Sequence, residues 1–225
     1  INKASLTLAA VTDTKTYDAT TASTAAVSKI GLAGGDTVTA VQSFGSKNVL
    51  GAGSSTLSVD SGYTVNDGNS GNNYVVTSSG TAAGTINKAS LTLAAVTDTR
   101  TYDGTVASSG VVGNSGLVGG DTVTAVQAFG SKNVMGSNGS TLSVASYNLN
   151  DGNGGGNYNV TTTTAAGTIN KATLNLTATP DDKVYDGTTL ATASYTDNRV
   201  AGDVLTYTAT ASFASKNVGN GIAVT

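Results

Sequence analysis

The sequence contains no cysteine, no histidine, no tryptophan and no glutamate, and its 14 acidic residues are all aspartate. Each absence closes a class of chemistry. Without imidazole or thiol there is no base poised near neutral pH, no thiolate nucleophile and no zinc-type site. No disulfide can form, which by itself sets no compartment, since exported proteins are free to lack them. Charged residues make up 11% of the chain, against about a quarter in a typical soluble domain. A net charge of −3 offers no basic stripe to a phosphate backbone, so no nucleic-acid partner is expected. No apolar run approaches the roughly 20 residues of a spanning helix, so no membrane span is expected in this stretch. The first residues carry no signal peptide, and an export signal would have to lie outside the sequence.

What fills the chain instead is Thr, Ser, Ala, Val and 29 glycines. Thr and Val favour strands, and Gly and Asn punctuate turns. Leu6, Leu8 and Ala10 alternate with Ser5, Thr7 and Ala9, the period of a strand with one buried face. A turn is expected after Tyr17-Asp18, a small-residue strand over Thr21–Ser28, and a turn at Gly34-Gly35-Asp36. Val38, Ala40 and Phe44 read as one face of the next strand, followed by a turn over Gly51–Gly53. Leu57, Val59, Tyr63 and Val65 continue the alternation up to an Asn/Gly-rich loop at Asn66–Asn73, and Tyr74–Thr77 and Thr81–Ile86 close the unit. That gives six or seven short strands with a turn about every ten residues, the pattern of an all-β sandwich. No segment has a capped helical period; Ala22–Lys29 allows at most one short helical turn.

The pattern repeats. Ile1–Asp18 returns as Ile86–Asp103 with the single change of Lys15 to Arg100, and a diverged copy begins at Ile169. The block GDTVTAVQSFGSKNVLG from Gly35 recurs from Gly120 and, loosely, from Gly202; NDGNSGNNY from Asn66 recurs as NDGNGGGNY from Asn150. The period is 85 and then 83 residues, longer than a solenoid unit and close to a small β-domain. The expected division is therefore 1-85, 86-168 and a partial third repeat, 169-225, without its last strands. The expected architecture is all-β: tandem Ig-like sandwich repeats of about 84 residues, arranged as an elongated rod. Both ends fall inside a repeat, so the sequence reads as a window on a longer array. The third copy's open edge leaves strand donation by another chain as one outcome. The junctions Ile86-Asn87-Lys88 and Ile169-Asn170-Lys171 lack Pro and Gly. A strand running straight through them would couple neighbouring repeats stiffly.

Tyr102-Asp103-Gly104-Thr105, then GGD, FGSKNV with a following Gly, the N-D-G…N-Y loop and a closing TINKA strand resemble the YDG repeat of large bacterial surface proteins. The blocks keep one order through three copies. The resemblance implies filamentous-haemagglutinin-like adhesins: a secreted, extracellular or cell-surface location in a bacterium, and a stalk or fibre role. The first copy departs from it at Tyr17-Asp18-Ala19, which argues against a need for positive φ at the third position.

Candidate chemistry is sparse. The pairs Tyr17/Asp18, Tyr102/Asp103 and Tyr185/Asp186, with Gly104 and Gly187, read as turn corners in which Asp caps backbone N–H groups and Tyr packs over the bend; the alternative is a sugar-stacking tyrosine. Asp67 and Asp151 are candidate Ca²⁺ ligands, but each loop holds only one carboxylate where calcium loops hold several. The recurring Lys47-Asn48, Lys132-Asn133 and Lys216-Asn217 raise a Lys–Asn cross-link, which adjacent residues on opposite strand faces do not make. Paired aspartates for glycoside hydrolysis lack any unique catalytic residue. No enzyme and no cofactor is expected. The functional expectation is a structural stalk or filament segment whose partners are the neighbouring repeats. The alternatives are repeats that bind glycans or surfaces by avidity, or that associate laterally into a fibre.

Overall fold

The computed structural model describes all 225 residues and is all-β, with 21 strands and no helix. It divides into two compact units: Ile1–Val96, Gly110–Gln127 and Ser143–Ala165 form one, and Thr97–Ser109, Ala128–Leu142 and Ala166–Thr225 the other.

In the first unit, Ala4–Ala9 is the central strand of three, antiparallel to Ser28–Ile30 and parallel to Tyr74–Ser78. The alternation read from the sequence is present: Leu6 and Leu8 are fully buried, with Ser5 outside. These leucines share a core with Val27, Val38, Val65 and Tyr74. Val38 and Val65 come from the paired strands Thr37–Thr39 and Thr64–Asn66. A second sheet of the same repeat orders Asp13–Thr16, Ala82–Asn87, Ser55–Val59 and Gln42–Phe44. Val38 and Phe44, expected on one strand, thus lie on two strands in different sheets and serve different cores.

The second core crosses the repeat boundary. Tyr17, Phe44 and Leu57 of the first repeat pack with Ile86 at the boundary and with Ala89, Leu91, Leu93, Val112, Leu149 and Tyr158 of the second. Ala89–Ala94 sits between Gly113–Ser115 and Tyr158–Thr163, as Ala4–Ala9 does in its own sheet. Fully burying one such Leu, Ile or Phe contributes about 1.5–3 kcal/mol, so removing either repeat would expose several apolar side chains at once. The sequence period and the packing unit are out of step.

The junction itself is not one strand. Ala82–Asn87 ends before Lys88, and Ala89–Ala94 begins after it in a different sheet. Gly84 and Ile86 point inward, Asn87 and Lys88 both point out, and Ala89 and Leu91 point inward again. The extra outward residue shifts the period-2 alternation by one, which turns the chain between sheets while both flanks stay in the same core.

The expected strand over Thr21–Ser28 is reduced to a single bridge, Ala22 to Ser43, ahead of Ser28–Ile30. The Asp13 carboxylate accepts from the Ser23 hydroxyl at 2.6 Å and the Thr24 N–H at 3.1 Å beside it; in the second repeat Asp98 makes the same contacts with Ser108 and Ser109, and there Ala107–Val111 is a full strand.

In the second unit, Asp98–Thr101 runs parallel to Ala165–Asn170, and Phe129, Leu142 and Ile169 are buried beside them. The third repeat keeps two short pairings, Leu176–Pro180 with Ala193–Asp197 and Leu190–Ala191 with Ala211–Ser212. Leu174 and Leu176 are 49% and 47% exposed, while their equivalents Leu6 and Leu8 are at 0%. The sequence holds no third-repeat counterpart of Tyr74–Ser78 to flank that strand.

Candidate functional site

The Tyr-Asp corner folds the same way in all three copies. Asp18 Oδ1 accepts the Thr20 N–H at 2.9 Å, the Thr20 hydroxyl at 2.8 Å and the Lys15 ammonium at 2.7 Å. Asp103 takes the same two groups of Thr105 and is paired with Arg100. Asp186 takes those of Thr188 and pairs with Lys183 at 2.9 Å. Lys183 and Thr188 hold the exposed Asp186 carboxyl down at about 2. Lys15, Arg100 and Lys183 also lie over Phe44, Phe129 and Phe213, 5.4 to 6.0 Å from the ring centres. The exchange of Lys15 for Arg100 therefore keeps both contacts.

The third position of the corner does require positive φ, contrary to the inference drawn from Ala19. Ala19 itself stands at φ 63°, with Gly104 at 80° and Gly187 at 77°. Alanine is tolerated because of what faces it. A Cβ built on Gly119 would lie 2.4 Å from the Ala19 Cβ, whereas one built on Gly104 would lie 2.8 Å from Val200 Cγ1. In the first junction the glycine sits on the opposing turn; in the second it sits in the corner. Gly104→Ala is accordingly expected to destabilise by about 2 kcal/mol through backbone strain and the Val200 overlap. Ala19→Gly should stay within about 0.5 kcal/mol of the parent, because relief of strain offsets the lost chain entropy. Urea melts of the two variants check the pair.

The tyrosine of the corner reaches into the next repeat. Tyr17, 2% exposed, donates its hydroxyl to Asp121 Oδ2 at 3.0 Å. Tyr158 donates to the same oxygen at 2.7 Å while its own oxygen accepts the Val118 N–H at 2.9 Å. The two rings meet edge to face, 5.5 Å apart. Tyr102 repeats the contact on Asp203 at 2.8 Å. Tyr74 makes the within-repeat version, donating to Asp36 at 2.6 Å and accepting from the Ala33 N–H at 2.8 Å. Burial first, and then Asp121, push Tyr17 and Tyr158 up to about 12. A phenol whose pKa is raised on folding stabilises the fold fully below its unfolded value near 10 and loses that contribution as pH passes its folded value. Stability is therefore expected to fall between about pH 10 and 12. Phenylalanine at both positions should flatten that limb.

The Asn/Asp/Gly loops are organised around their single carboxylates. Asp151, 1% exposed, accepts from the N–H groups of Asn153 at 2.7 Å, Gly155 at 2.8 Å and Asn157 at 3.0 Å. Asp67 does the same with Asn69, Gly71 and Asn73. For Asp67 these bonds, the Gly71 N–H foremost, hold the carboxyl below its ordinary range; for Asp151 they outweigh the opposing effect of burial. A carboxylate ringed by N–H donors sits in an environment opposite in sign to a cation site. The loop also joins the junction: Asn157, fully buried, accepts the Val49 N–H at 2.9 Å and donates to Asn48 at 3.2 Å. Lys47 lies over the Tyr17 ring, 5.9 Å from its centre, so Lys47 and Asn48 engage different partners.

Three sets of polar residues were missed in the sequence. The Asp36, Asp121 and Asp203 acceptors sat inside what read as plain turns. Asp13 and Asp98 gather the chain after the first strand. Gln42 and Gln127, each 1% exposed, close both backbone groups of Val11 and Val96 at 2.8 to 2.9 Å. The available signal was a glutamine repeated in place at an inward position of an alternating strand.

Comparison with protein families finds the YDG domain at residues 2–82, 87–165 and 170–225. Nothing among curated proteins or solved structures matches the chain.

Proposed function

The chain belongs to the YDG domain family, and from that membership and its shared core we propose that it is a structural stalk or filament segment of a secreted bacterial protein. The carrier would be a surface adhesin of the filamentous-haemagglutinin-like kind or an extracellular matrix fibre, built of tandem Ig-like sandwich repeats as a rod. The observation that carries the reading is the core of Tyr17, Phe44, Leu57 and Ile86 with Leu91, Leu93 and Tyr158, which ties two successive repeats into one packing unit. Such coupling resists bending, which a spacer needs and an isolated binding module does not. The corner and loop carboxylates are engaged by N–H groups and cations, which favours a non-enzymatic part.

Small-angle scattering tests the shape: a rod gives a skewed distance distribution with a long tail. A compact particle would overturn the rod. A glycan array probed with the whole chain tests the role. No saturable binding is expected, and saturable binding would instead favour repeats that adhere by avidity.

A further inference from the structure

The group around Gln42 has no part in the junction or in the stalk reading. The Ser23 hydroxyl donates to Asp13 Oδ2 at 2.6 Å, and its oxygen accepts from Gln42 Nε2 at 3.1 Å. Gln42 is 1% exposed and Ser23 half-buried. The carboxamide is clamped in place: its Oε1 accepts the Val11 N–H at 2.8 Å, and its Nε2 donates to the Val11 carbonyl at 2.8 Å. The N–H groups of Thr24 and Ala25, at 3.1 and 3.4 Å, fix the Asp13 carboxylate in turn. A hydroxyl is thus held between a carboxylate and a carboxamide, with a backbone N–H already on the carbonyl oxygen. Acyl transfer needs those parts: a nucleophile bonded to its base, and a donor where the oxyanion develops.

The repeats show that the serine and the glutamine belong together. The second repeat keeps Asp98, Ser108 and Gln127 at the same spacings of 10 and 19 residues. In the third, Lys183 bonds the Leu190 carbonyl as Lys15 bonds that of Ala22, which puts Ala191 in the place of Ser23. Ala211, two residues before Phe213, stands in the place of Gln42. Both partners are absent there, while Asp181 keeps the place of Asp13. Closing the backbone of Val11 requires the carboxamide alone and gives no reason for the serine to go with it.

We propose that Ser23 and Gln42 become joined by an ester bond that the folded chain forms by itself. Asp13 takes the hydroxyl proton as Ser23 Oγ attacks Gln42 Cδ, and the Val11 N–H holds the negative charge that develops on Oε1. Asp13 then returns the proton to Nε2, the Cδ–Nε2 bond breaks and ammonia leaves. One hydroxyl and one carboxamide become one ester and one ammonia, with no oxidant, metal or second substrate. The reaction runs once per chain, and fixed neighbours supply the proximity it needs. The bond ties the segment after Asp13–Thr16 to the strand Gln42–Phe44. It stands apart from the stalk reading, since an adhesive array would carry the same staple.

Mass spectrometry of the full chain tests it. The intact mass should fall short of the sequence mass by at least one ammonia. Trypsin should release peptides 16–29 and 30–47 joined through Ser23 and Gln42. Mild alkali should part them, restoring the serine and leaving a carboxyl at position 42. Ser23→Ala should give the two peptides separately, and Ser23→Thr, which keeps a hydroxyl, should still give them joined. Asp13→Asn keeps an oxygen for the Thr24 N–H but loses the base, and should slow joining roughly a hundredfold or more in a time course after refolding. Circular dichroism of each variant confirms that it has folded. A parent chain whose two peptides separate unmodified would overturn the proposal. So would an ammonia loss traced to other residues, or joining that survives Ser23→Ala.

Discussion

Replacing Asp121 with alanine is expected to destabilise the first unit by about 4 kcal/mol, twice the loss for Asp36→Ala. The difference is a count of phenols. Asp121 Oδ2 accepts from both Tyr17 and Tyr158, at 3.0 and 2.7 Å, and those side chains are 2% and 3% exposed. Removing the acceptor strands two hydroxyls away from water, each costing roughly 1–3 kcal/mol. Asp36 holds one phenol, Tyr74. A double-mutant cycle in guanidinium chloride resolves the point. With Tyr17 already phenylalanine, the cost of Asp121→Ala should fall by about half; an unchanged cost would mean that Tyr17 contributes nothing across the junction.

Gly84→Ala is expected to cost about 3 kcal/mol, at the upper end for overpacking a closed core. The new methyl would lie 2.6 Å from Phe44 Cε1 and 2.9 Å from Leu57 Cδ1. Neither neighbour has room to withdraw, since Phe44 is 2% exposed and Leu57 0%. Gly167 lies under Phe129 and Leu142 in the same way, at 2.6 and 2.8 Å. The glycine of the TAAGT strand is thus a floor for an aromatic ring, a use of its missing side chain rather than of its backbone freedom. Phe44→Leu introduced together with Gly84→Ala should recover part of the loss, because the shorter side chain vacates the space the methyl takes. Failure of any recovery would place the strain elsewhere.

Much of this was open to sequence reading, and the limits fall at definite residues. Leu6, Leu8, Leu91 and Leu93 alternate with small polar neighbours, and that alternation alone places them inside. The Tyr-Asp pair was legible as a corner because Asp followed two residues later by Thr is local chemistry. Ala19 misled, because a non-glycine at positive φ is made tolerable by Gly119, a hundred residues away. The acceptors Asp36, Asp121 and Asp203 were hidden for the same reason: a GD turn looks identical whether or not a tyrosine from another repeat lands on it. The junction read as one strand for its lack of Pro and Gly, although two consecutive polar residues, Asn87 and Lys88, between apolar Ile86 and Ala89 already marked the shift of alternation. Equal spacing of similar blocks fixes a period but not its phase, and so could not show that one core is drawn from two copies.

That shared core is the centre of the account, and native-state hydrogen exchange across the first junction tests it most directly. If the two repeats form one cooperative unit, core amides on either side of Lys88, at Ile86 and at Leu91, open with the same free energy. Tyr17→Phe should then lower both by the same amount. Protection that differs between Ile86 and Leu91, or a variant that loosens only the first repeat, would show independent beads and contradict the account.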